Sequence, residues 1–324
     1  MSPHQPLRLT GRGAVRLVEA AQRIVVVGAS GWIGLACLEM LASVLGSQFQ
    51  ERVICFGSEA RTLSLRDGTP VRQYALEALA DLPAAPTLLL SLAFLTLEKL
   101  RTMTREDYLG INRRISTLVR DALDPIGATA VFLPSSGAAY GADIAAADAR
   151  QVYGALKLEQ EALFEAWVLA GARSLSIARV FNISGPYINK LSDYALSAFI
   201  MDALRGQPIQ IRAQHRVMRS YVGVQELLGV VFALLTEGEE GAVRFDTAGV
   251  VALEVGEVAR VVEQVTGSRA GIHRGTVGNG AADVYVGDGK LFAQVRERHG
   301  VEEVPFVRQV EETTLYLSGL VSVA

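Results

Sequence analysis

The sequence predicts an α/β protein built on a doubly wound, mostly parallel sheet, with a smaller second domain interleaved after it. From residue 24 onward, short apolar runs alternate with longer amphipathic stretches, which is the pattern of successive strand–helix units. The apolar runs are continuous, as expected for strands whose two faces are both covered by helices. The chain has 324 residues, enough to bury a core of this kind.

Five strands are predicted in the first half of the chain. These apolar runs lie at residues 24–27, 53–56, 88–92, 130–133 and 174–178. Helices are expected to fill the gaps, and the amphipathic stretches lie at residues 33–44, 104–122 and 153–170. The last of them carries apolar residues at near-helical spacing, namely Leu156, Leu163, Phe164 and Trp167.

After residue 182 the pattern becomes less regular. The elements predicted there are a helix near 192–205 and short strands near 209–211, 219–224 and 243–247. We therefore expect an N-terminal extension over residues 1–22, a sheet domain over 23–183 and a mostly separate second domain over 184–324. Elements near 219–248 are expected to return to the first sheet.

Composition argues against several classes of function. The 31 basic and 34 acidic residues give a net charge of -3, so no surplus of cations is available to bind nucleic acid. No uninterrupted apolar run approaches the roughly 20 residues of a membrane span. The start lacks the pattern of a secretory signal, although its arginines leave a transit peptide as an alternative. Cys37 and Cys55 suit two reduced thiols, which favours a cytoplasmic protein.

Three glycines lie at every third position between the first predicted strand and the first helix. Gly28 permits a tight turn, Gly31 lets a pyrophosphate approach the backbone, and Gly34 allows close helix–strand packing. The helix N-terminus adds free N–H groups and a partial positive charge. The pattern predicts a dinucleotide site, in which Ser30, Trp32 and Ile33 also take part. The alternatives are a turn without a ligand and a turn that binds a flavin.

The end of the second strand bears on which dinucleotide binds. An acidic residue there would hydrogen-bond the ribose 2′-hydroxyl and repel a 2′-phosphate. Gly57 stands at this position, and Ser58 and Arg61 offer a hydroxyl and a forked cation to a phosphate. NADP is therefore favoured over NAD, with Glu59 as the contrary feature.

Tyr153 and Lys157 lie four residues apart, which places both side chains on one face of a helix. Bringing a phenol from a pKa near ~10 to near ~7 requires about 4 kcal/mol of preference for phenolate. One cation roughly 4 Å away in a moderately screened site supplies about that much. We therefore expect Lys157 to lower the pKa of Tyr153 and to make it a proton-transfer group.

A serine-rich turn comes after the strand predicted at 130–133, at the carboxyl edge where ligands bind in such sheets. A hydroxyl at this edge can hydrogen-bond a substrate oxygen and direct it toward the phenol. A Tyr-x-x-x-Lys pair alone is common on surface helices. Its position after the glycine turn and the serine turn is the reason for a catalytic interpretation. We expect no metal ion at this site.

Five segments succeed one another as in extended short-chain dehydrogenases/reductases, and the chain resembles their nucleotide-sugar epimerase, dehydratase and reductase group. The segments are GASGWIG at 28–34, SSGAAYG at 135–141, YGALK at 153–157, RVFNISGP at 179–186 and RSYVGV at 219–224.

The resemblance implies a Rossmann-type fold, a homodimer and a role for each matching residue. Ser136, Tyr153 and Lys157 would form the catalytic set, and Tyr153 and Lys157 would also contact the cofactor. The remaining matches fall into cofactor-lining positions and positions that hold the substrate's diphosphate. The first are Ala93, Asn112 and Phe181, and the second are Asn182 and Arg219.

The two residues directly after Ser136 bear on the chemistry at the sugar. Dehydratases of the group place an Asp-Glu pair there, but this chain has Gly137 and Ala138, which disfavours dehydration. Since Gly57 replaces the acid, an NADPH-dependent reductase of nucleotide-linked 4-keto-sugars is favoured. The alternative is a nucleotide-sugar 4-epimerase that retains NAD. A reductase of a non-sugar carbonyl and a non-catalytic NADP-binding protein remain as further hypotheses.

Overall fold

A computed structural model describes residues 6–321 and contains ten α-helices and fifteen strands within that range. The helices are α1 Arg12–Glu19, α2 Trp32–Leu45, α3 Phe49–Arg52, α4 Arg105–Ala122, α5 Ala149–Leu169, α6 Ala195–Leu204, α7 Val224–Leu235, α8 Val255–Thr266, α9 Lys290–His299 and α10 Phe306–Val321. The strands are β1 Arg23–Val27, β2 Val53–Gly57, β3 Arg61–Ser64, β4 Pro70–Ala75, β5 Thr87–Ser91, β6 Ala128–Ser136, β7 Ser174–Val180, β8 Ile183–Ser184, β9 Ile209–Ile211, β10 Val217–Arg219, β11 Val222–Gly223, β12 Gly241–Asp246, β13 Leu253–Glu254, β14 Ile272–Arg274 and β15 Asp283–Tyr285.

Eight strands form the main sheet in the order β12-β7-β6-β5-β1-β2-β4-β3, and all pairs are parallel except β3 with β4. The five predicted strands correspond to β1, β2, β5, β6 and β7, so the predicted fold class is confirmed. The chain runs outward from β1 toward β3 on one side and from β5 toward β12 on the other. The ends of β1 and β5 therefore form the switch point at which such sheets bind ligands.

Successive residues of β1 pack into different layers of the core. Ile24 and Val26 belong to the cluster that includes apolar residues of α2 and α7, whereas Val25 and Val27 belong to the cluster beneath α4 and α5. This alternation results from the two-residue period of a strand. The stretch Trp32–Arg52 is apolar and long enough to cross a membrane by length and composition, and more than half of it is buried within the fold.

Three differences from the predicted elements concern the main sheet and the crevice. α5 begins at Ala149 instead of 153, because Asp148 caps it by accepting a hydrogen bond from the Arg150 backbone N–H at 2.8 Å. The pair β3–β4 was not predicted, since its strands are short and largely polar. The strand expected over 219–224 is divided between β10 and β11, and α7 begins directly afterwards.

The second half of the chain adds three small sheets, β13-β10-β15, β11-β8 and β14-β9, together with α6, α8 and α10. One later strand, β12, pairs with β7 at the edge of the main sheet. At the N-terminus α1 packs against α7 so closely that a Cβ on Gly13 would lie 2.7 Å from the Ala233 backbone nitrogen. Cys37 and Cys55 are both buried and form no disulfide.

A buried charge network joins the N-terminal segment to three other parts of the fold. Glu39 accepts hydrogen bonds from the Leu7 backbone N–H at 2.9 Å, from Arg66 Nε at 2.8 Å and from the Tyr187 hydroxyl at 2.6 Å. Burial acts to raise the pKa of Glu39, but the bonds from Arg66 and Tyr187 outweigh it and hold the pKa below its usual value. The carboxylate is therefore charged in the folded protein at neutral pH.

We expect Glu39→Gln to lower the free energy of unfolding by about 3–5 kcal/mol, because it leaves the Arg66 cation buried with an incomplete partner. The wild-type contribution is present above the ordinary carboxyl pKa of 4.5 and is lost as the pH falls below it. Urea unfolding at neutral and acidic pH measures both effects. Glu297→Gln, at an exposed position on α9, is the matched control. Equal stability of the two variants at neutral pH would contradict the prediction.

Candidate active site

The glycine turn is held against the end of β5 by backbone contacts that leave no room for side chains. Gly28 has a φ of +84°, and a Cβ there would lie 2.5 Å from the Ala93 backbone nitrogen. A Cβ on Gly34 would lie 2.5 Å from the carbonyl oxygens of Gly28 and Ala29. At Gly31 the nearest atom to a Cβ is the Gly28 oxygen at 3.3 Å. Bare backbone and the N-terminus of α2 thus border the crevice, as a dinucleotide pyrophosphate requires.

The crevice has a volume of about 640 Å³ and lies at the carboxyl edge of the main sheet. It brings together eleven of the residues that the sequence predicts for the site. They are Gly28, Gly31, Trp32, Ile33, Gly34, Ser136, Tyr153, Lys157, Phe181, Asn182 and Arg219. The glycine turn, the serine turn and the Tyr-x-x-x-Lys pair therefore line the same space, although 125 positions separate Gly28 from Tyr153 in the chain.

Burial changes the electrostatics expected of Tyr153 and Lys157. It raises the pKa of Tyr153 above its usual value and lowers the pKa of Lys157 to about 7. The expectation that Lys157 lowers the pKa of Tyr153 is therefore wrong for the protein by itself. Lys157 Nζ lies 6.0 Å from the centroid of the Tyr153 ring, and removal of both groups from water outweighs their interaction.

The Lys157 ammonium is held by acceptors on its own side of the crevice. Nζ donates to the Pro134 carbonyl oxygen at 2.9 Å and to Gln160 Oε1 at 3.1 Å, and it lies 3.6 Å from the centroid of the Phe94 ring. Phe94 also packs edge-on against Tyr153, with the ring centroids 5.8 Å apart. Phe94 was not predicted from the sequence, although it is the residue directly after the predicted cofactor residue Ala93.

The two serines of the serine turn differ in their partners. Ser135 Oγ donates to Glu161 at 2.5 Å, within a network that includes Arg179. Ser136 Oγ accepts from the Ala138 backbone N–H at 3.2 Å and lies 3.3 Å from the Tyr285 hydroxyl. Ser136 is thus the serine whose hydroxyl is turned toward the tyrosine-lined part of the crevice.

Tyr285 closes the crevice from the second half of the chain. Its ring centroid lies 4.6 Å from that of Phe181. A Cβ on Gly137 would meet the Phe181 ring at 2.5 Å, and one on Gly287 would meet it at 2.7 Å. Tyr285 was not predicted from the sequence, because nothing near it in the chain points to the site and only the fold brings β15 to Ser136.

Five predicted cofactor residues do not line this crevice. They are Ser30, Ser58, Arg61, Ala93 and Asn112, whose roles in cofactor binding stay predictions. The Ala93 backbone packs against Gly28. Asn112 is buried, and its side-chain oxygen accepts a hydrogen bond from the Leu95 backbone N–H at 2.7 Å. Asn112 therefore positions the loop after β5 instead of facing the crevice.

The end of β2 is shaped by Gln73, a residue that no sequence motif singles out. A Cβ on Gly57 would lie 2.4 Å from the side-chain amide of Gln73, so an acidic residue there would require the Gln73 amide to move. Gln73 Nε2 donates to the Glu59 backbone oxygen at 2.8 Å. The exposed Arg61 guanidinium lies 3.4 Å from the Glu59 carboxylate. The Arg61 guanidinium is therefore paired with the Glu59 carboxylate in this structure.

Arg219 connects the crevice to a second cavity of about 720 Å³ beneath α6. It pairs with Asp283 at 2.7 Å, and this hydrogen bond lowers the pKa of Asp283. The second cavity also contains the basic residues Arg205 and Arg212. Asn182 donates to the Ser220 carbonyl oxygen at 3.1 Å and lines the crevice near Arg219.

Comparison with known proteins gives a family match over most of the chain. Residues 24–246 match the model of the NAD dependent epimerase/dehydratase family. A dTDP-L-rhamnose 4-epimerase from Burkholderia thailandensis is 30% identical over 113 residues. That match covers 34% of this chain and 31% of the relative, so the chain spans about a third of that protein's length.

Solved structures show that the fold extends over nearly all of the chain. A UDP-N-acetylglucosamine 4-epimerase from Methanobrevibacter ruminantium M1, in complex with UDP-N-acetylmuramic acid, is 16% identical with a TM-score of 0.71, covering 92% of this chain and 99% of that one. MoeE5 in complex with UDP-glucose and NAD is 20% identical with a TM-score of 0.69, covering 93% of this chain and all of the other. The predicted Rossmann-type fold and the resemblance to this enzyme group are both confirmed.

The lowered pKa of Lys157 can be tested without any ligand. Between about 7 and the ordinary lysine value of 10.5, the unfolded chain binds a proton that the folded chain does not. The free energy of unfolding of the wild type, relative to Lys157→Met, should therefore rise as the pH increases from about 6 to about 9. Chemical unfolding at several pH values measures this difference. Lys290→Met, at an exposed lysine, should show no such trend. A flat difference for Lys157→Met would show that the buried ammonium keeps its ordinary pKa.

Proposed function

Because the chain belongs to the NAD dependent epimerase/dehydratase family, we propose that it is a nucleotide-sugar 4-epimerase that retains NAD through the reaction. The observation that carries the proposal is one crevice in which the glycine turn, Ser136, Tyr153 and Lys157 meet. Arg219 extends this crevice toward a second cavity, which is lined by arginines and aspartates. This arrangement supports separate sites for a dinucleotide, a sugar and a nucleotide diphosphate.

Tyr153 would carry the proton in each half of the reaction. The glycine turn, Tyr153 and Lys157 would hold NAD, and the bound cofactor would supply a reversible hydride acceptor beside C4 of the sugar. Tyr153 takes the proton of the C4 hydroxyl as the ketone forms and gives it back when the hydroxyl is restored. Ser136 hydrogen-bonds the same oxygen, and Lys157 holds the cofactor's ribose and supplies positive charge near the phenol. One hydride and one proton leave and return, so no cofactor is consumed.

NAD is proposed over NADP on electrostatic grounds. The cation on which the NADP hypothesis rests, Arg61, lies beside the carboxylate of Glu59, which would repel a 2′-phosphate. The family model is described as NAD dependent, and MoeE5 was solved with NAD. These findings support the epimerase over the NADPH-dependent 4-keto-sugar reductase, which remains the second candidate because β2 ends without an acid.

The second cavity is proposed to hold the nucleotide. Arg219 is placed to reach the diphosphate between the two spaces, with Asn182 beside it. The cavity offers Phe199 as an apolar contact for a base, and Arg205 and Arg212 are its candidate phosphate-binding cations, with Asp193 and Asp202 also in its lining. This arrangement favours a nucleotide-linked sugar over a smaller carbonyl compound.

Two expectations about the protein's surroundings stay predictions. α4 and α5 pack side by side and expose Ile111 and Leu158, which supports a homodimer formed through these two helices. The cytoplasmic location expected from the two thiols is untested.

Cofactor choice can be measured by calorimetric titration of the purified protein. NAD should bind more tightly than NADP by about tenfold or more, because Glu59 opposes the added phosphate. Glu59→Gln should narrow the difference by tightening NADP binding, whereas Glu240→Gln, at an exposed position before β12 on the opposite edge of the main sheet, should leave the difference unchanged. Tighter binding of NADP by the wild type would support the reductase instead.

The reaction can be tested by incubating the NAD-loaded protein with UDP- and dTDP-hexoses and monitoring C4 isomers by NMR. We expect isomer exchange without net oxidation or reduction of the cofactor. Tyr153→Phe should reduce the rate by about 10²–10⁴-fold, because the proton-transfer group is lost. Tyr74→Phe, at an exposed ring on β4, is the matched control. Steady oxidation of NADPH in the presence of nucleotide-linked 4-keto-sugars would establish the reductase and overturn the epimerase.

A further inference from the structure

We propose that Arg150 binds a carboxylate on the sugar, so that the preferred substrate is a nucleotide-linked hexuronate. This inference rests on the proposed function and adds the class of sugar. The arginines and lysines that line the crevice differ in whether a carboxylate pairs with them. Lys190 lies 2.6 Å from Glu98, Arg101 lies 3.2 Å from Asp193, and Arg219 pairs with Asp283.

Arg150 has no such partner. Among residues 6–321 its guanidinium makes no ion pair and no hydrogen bond, and its contact is with the face of the Tyr285 ring, 4.1 Å from the ring centroid. Its charge helps to lower the pKa of Asp283, but that carboxylate is bound by Arg219. Because this guanidinium donates no hydrogen bond within those residues, its N–H groups remain free to donate to a ligand. The edge of Arg150 is therefore available to a planar anion, and a carboxylate matches its forked donors in a bidentate pair.

Arg150 lies close to the residues that are proposed to hold the sugar. Arg150 precedes Tyr153 by three residues on α5, so both side chains leave the same side of the helix. The ring on which it stacks, Tyr285, has its hydroxyl 3.3 Å from Ser136 Oγ. Arg150 thus lies beside the place where C4 must be held. A hexuronate carries its carboxylate on the ring carbon adjacent to C4, within reach of that edge.

The diphosphate is a weaker candidate for the same cation. Arg219 borders both the crevice and the second cavity, and Arg205 and Arg212 lie further along the same path. Arg150 borders the crevice but not the second cavity. Both Arg150 and Arg219 lie over the Tyr285 ring, at 4.1 and 5.8 Å from its centroid, but only Arg219 continues into the second cavity, whereas Arg150 belongs to the helix that carries Tyr153.

The experiment compares UDP-glucuronic acid with UDP-glucose, which share the nucleotide and the diphosphate and differ in the carboxylate. The wild type, loaded with NAD, should show a kcat/KM at least about tenfold higher for the acid. Arg150→Gln should lower this selectivity ratio by about ten- to a hundredfold, mainly through KM. Arg150→Lys keeps the charge but loses the fork and should be intermediate. Arg260→Gln, at an exposed position on α8, should leave both rates and the ratio as in the wild type.

The outcomes separate this inference from the proposed function. A ratio that stays constant while Arg150→Gln slows both substrates would assign Arg150 to the diphosphate and overturn the inference, with the epimerase intact. Preference for UDP-glucose by the wild type would overturn it as well. If neither sugar is isomerised, calorimetry of both nucleotide sugars on the NAD-loaded protein decides. Tighter binding of the acid, lost in Arg150→Gln, would support the carboxylate site although the epimerase had failed.

Discussion

The close approach of Gly28 to the backbone at Ala93 is the contact on which the crevice depends. The glycine turn after β1 and the loop after β5 are in contact here, at the switch point between the two strands. This contact fixes the turn, and the turn directs the N-terminus of α2 into the crevice. Trp32, the first residue of α2, donates from Nε1 to the Pro186 carbonyl oxygen at 2.8 Å. This bond ties the glycine turn to the segment that carries Phe181 and Asn182. The cofactor side and the substrate side of the crevice are thereby held in one frame.

Burial governs the proton chemistry of this frame. Tyr153 and Lys157 are both less easily ionised in the folded protein than in water, so the phenol resists losing its proton and the ammonium loses its own more readily. In such a buried cleft, a side chain is ionised more easily only when a bound ligand brings an opposite charge close to it. An oxidised nicotinamide is positively charged, and its approach would favour the phenolate that a hydride transfer requires. Arg150 is exposed, so a pairing with a sugar carboxylate there depends on the fit of its forked donors.

Prediction from the sequence succeeded where a local pattern is closely linked to structure. The continuous apolar runs identified five sheet strands, and the glycine turn and the Tyr-x-x-x-Lys pair identified the two halves of the crevice. It failed for β3 and β4, whose short polar strands are stabilised by pairing with the sheet and not by their own pattern. It also failed for the pKa of Tyr153, because one attractive charge was considered without the cost of removing both groups from water.

The sequence by itself determined the order of strands and helices, the backbone shape of the glycine turn and the spacing of Tyr153 and Lys157, since each depends on residues near one another in the chain. Tertiary structure alone decided which side chains face the same space. It brought Tyr285 to Ser136 across 149 positions and placed Gln73 over Gly57. Within residues 6–321 it left Arg150 without an ion pair, while Arg101, Lys190 and Arg219 pair with carboxylates. These contacts join distant segments, and the charge of a group in the crevice depends on all of them together.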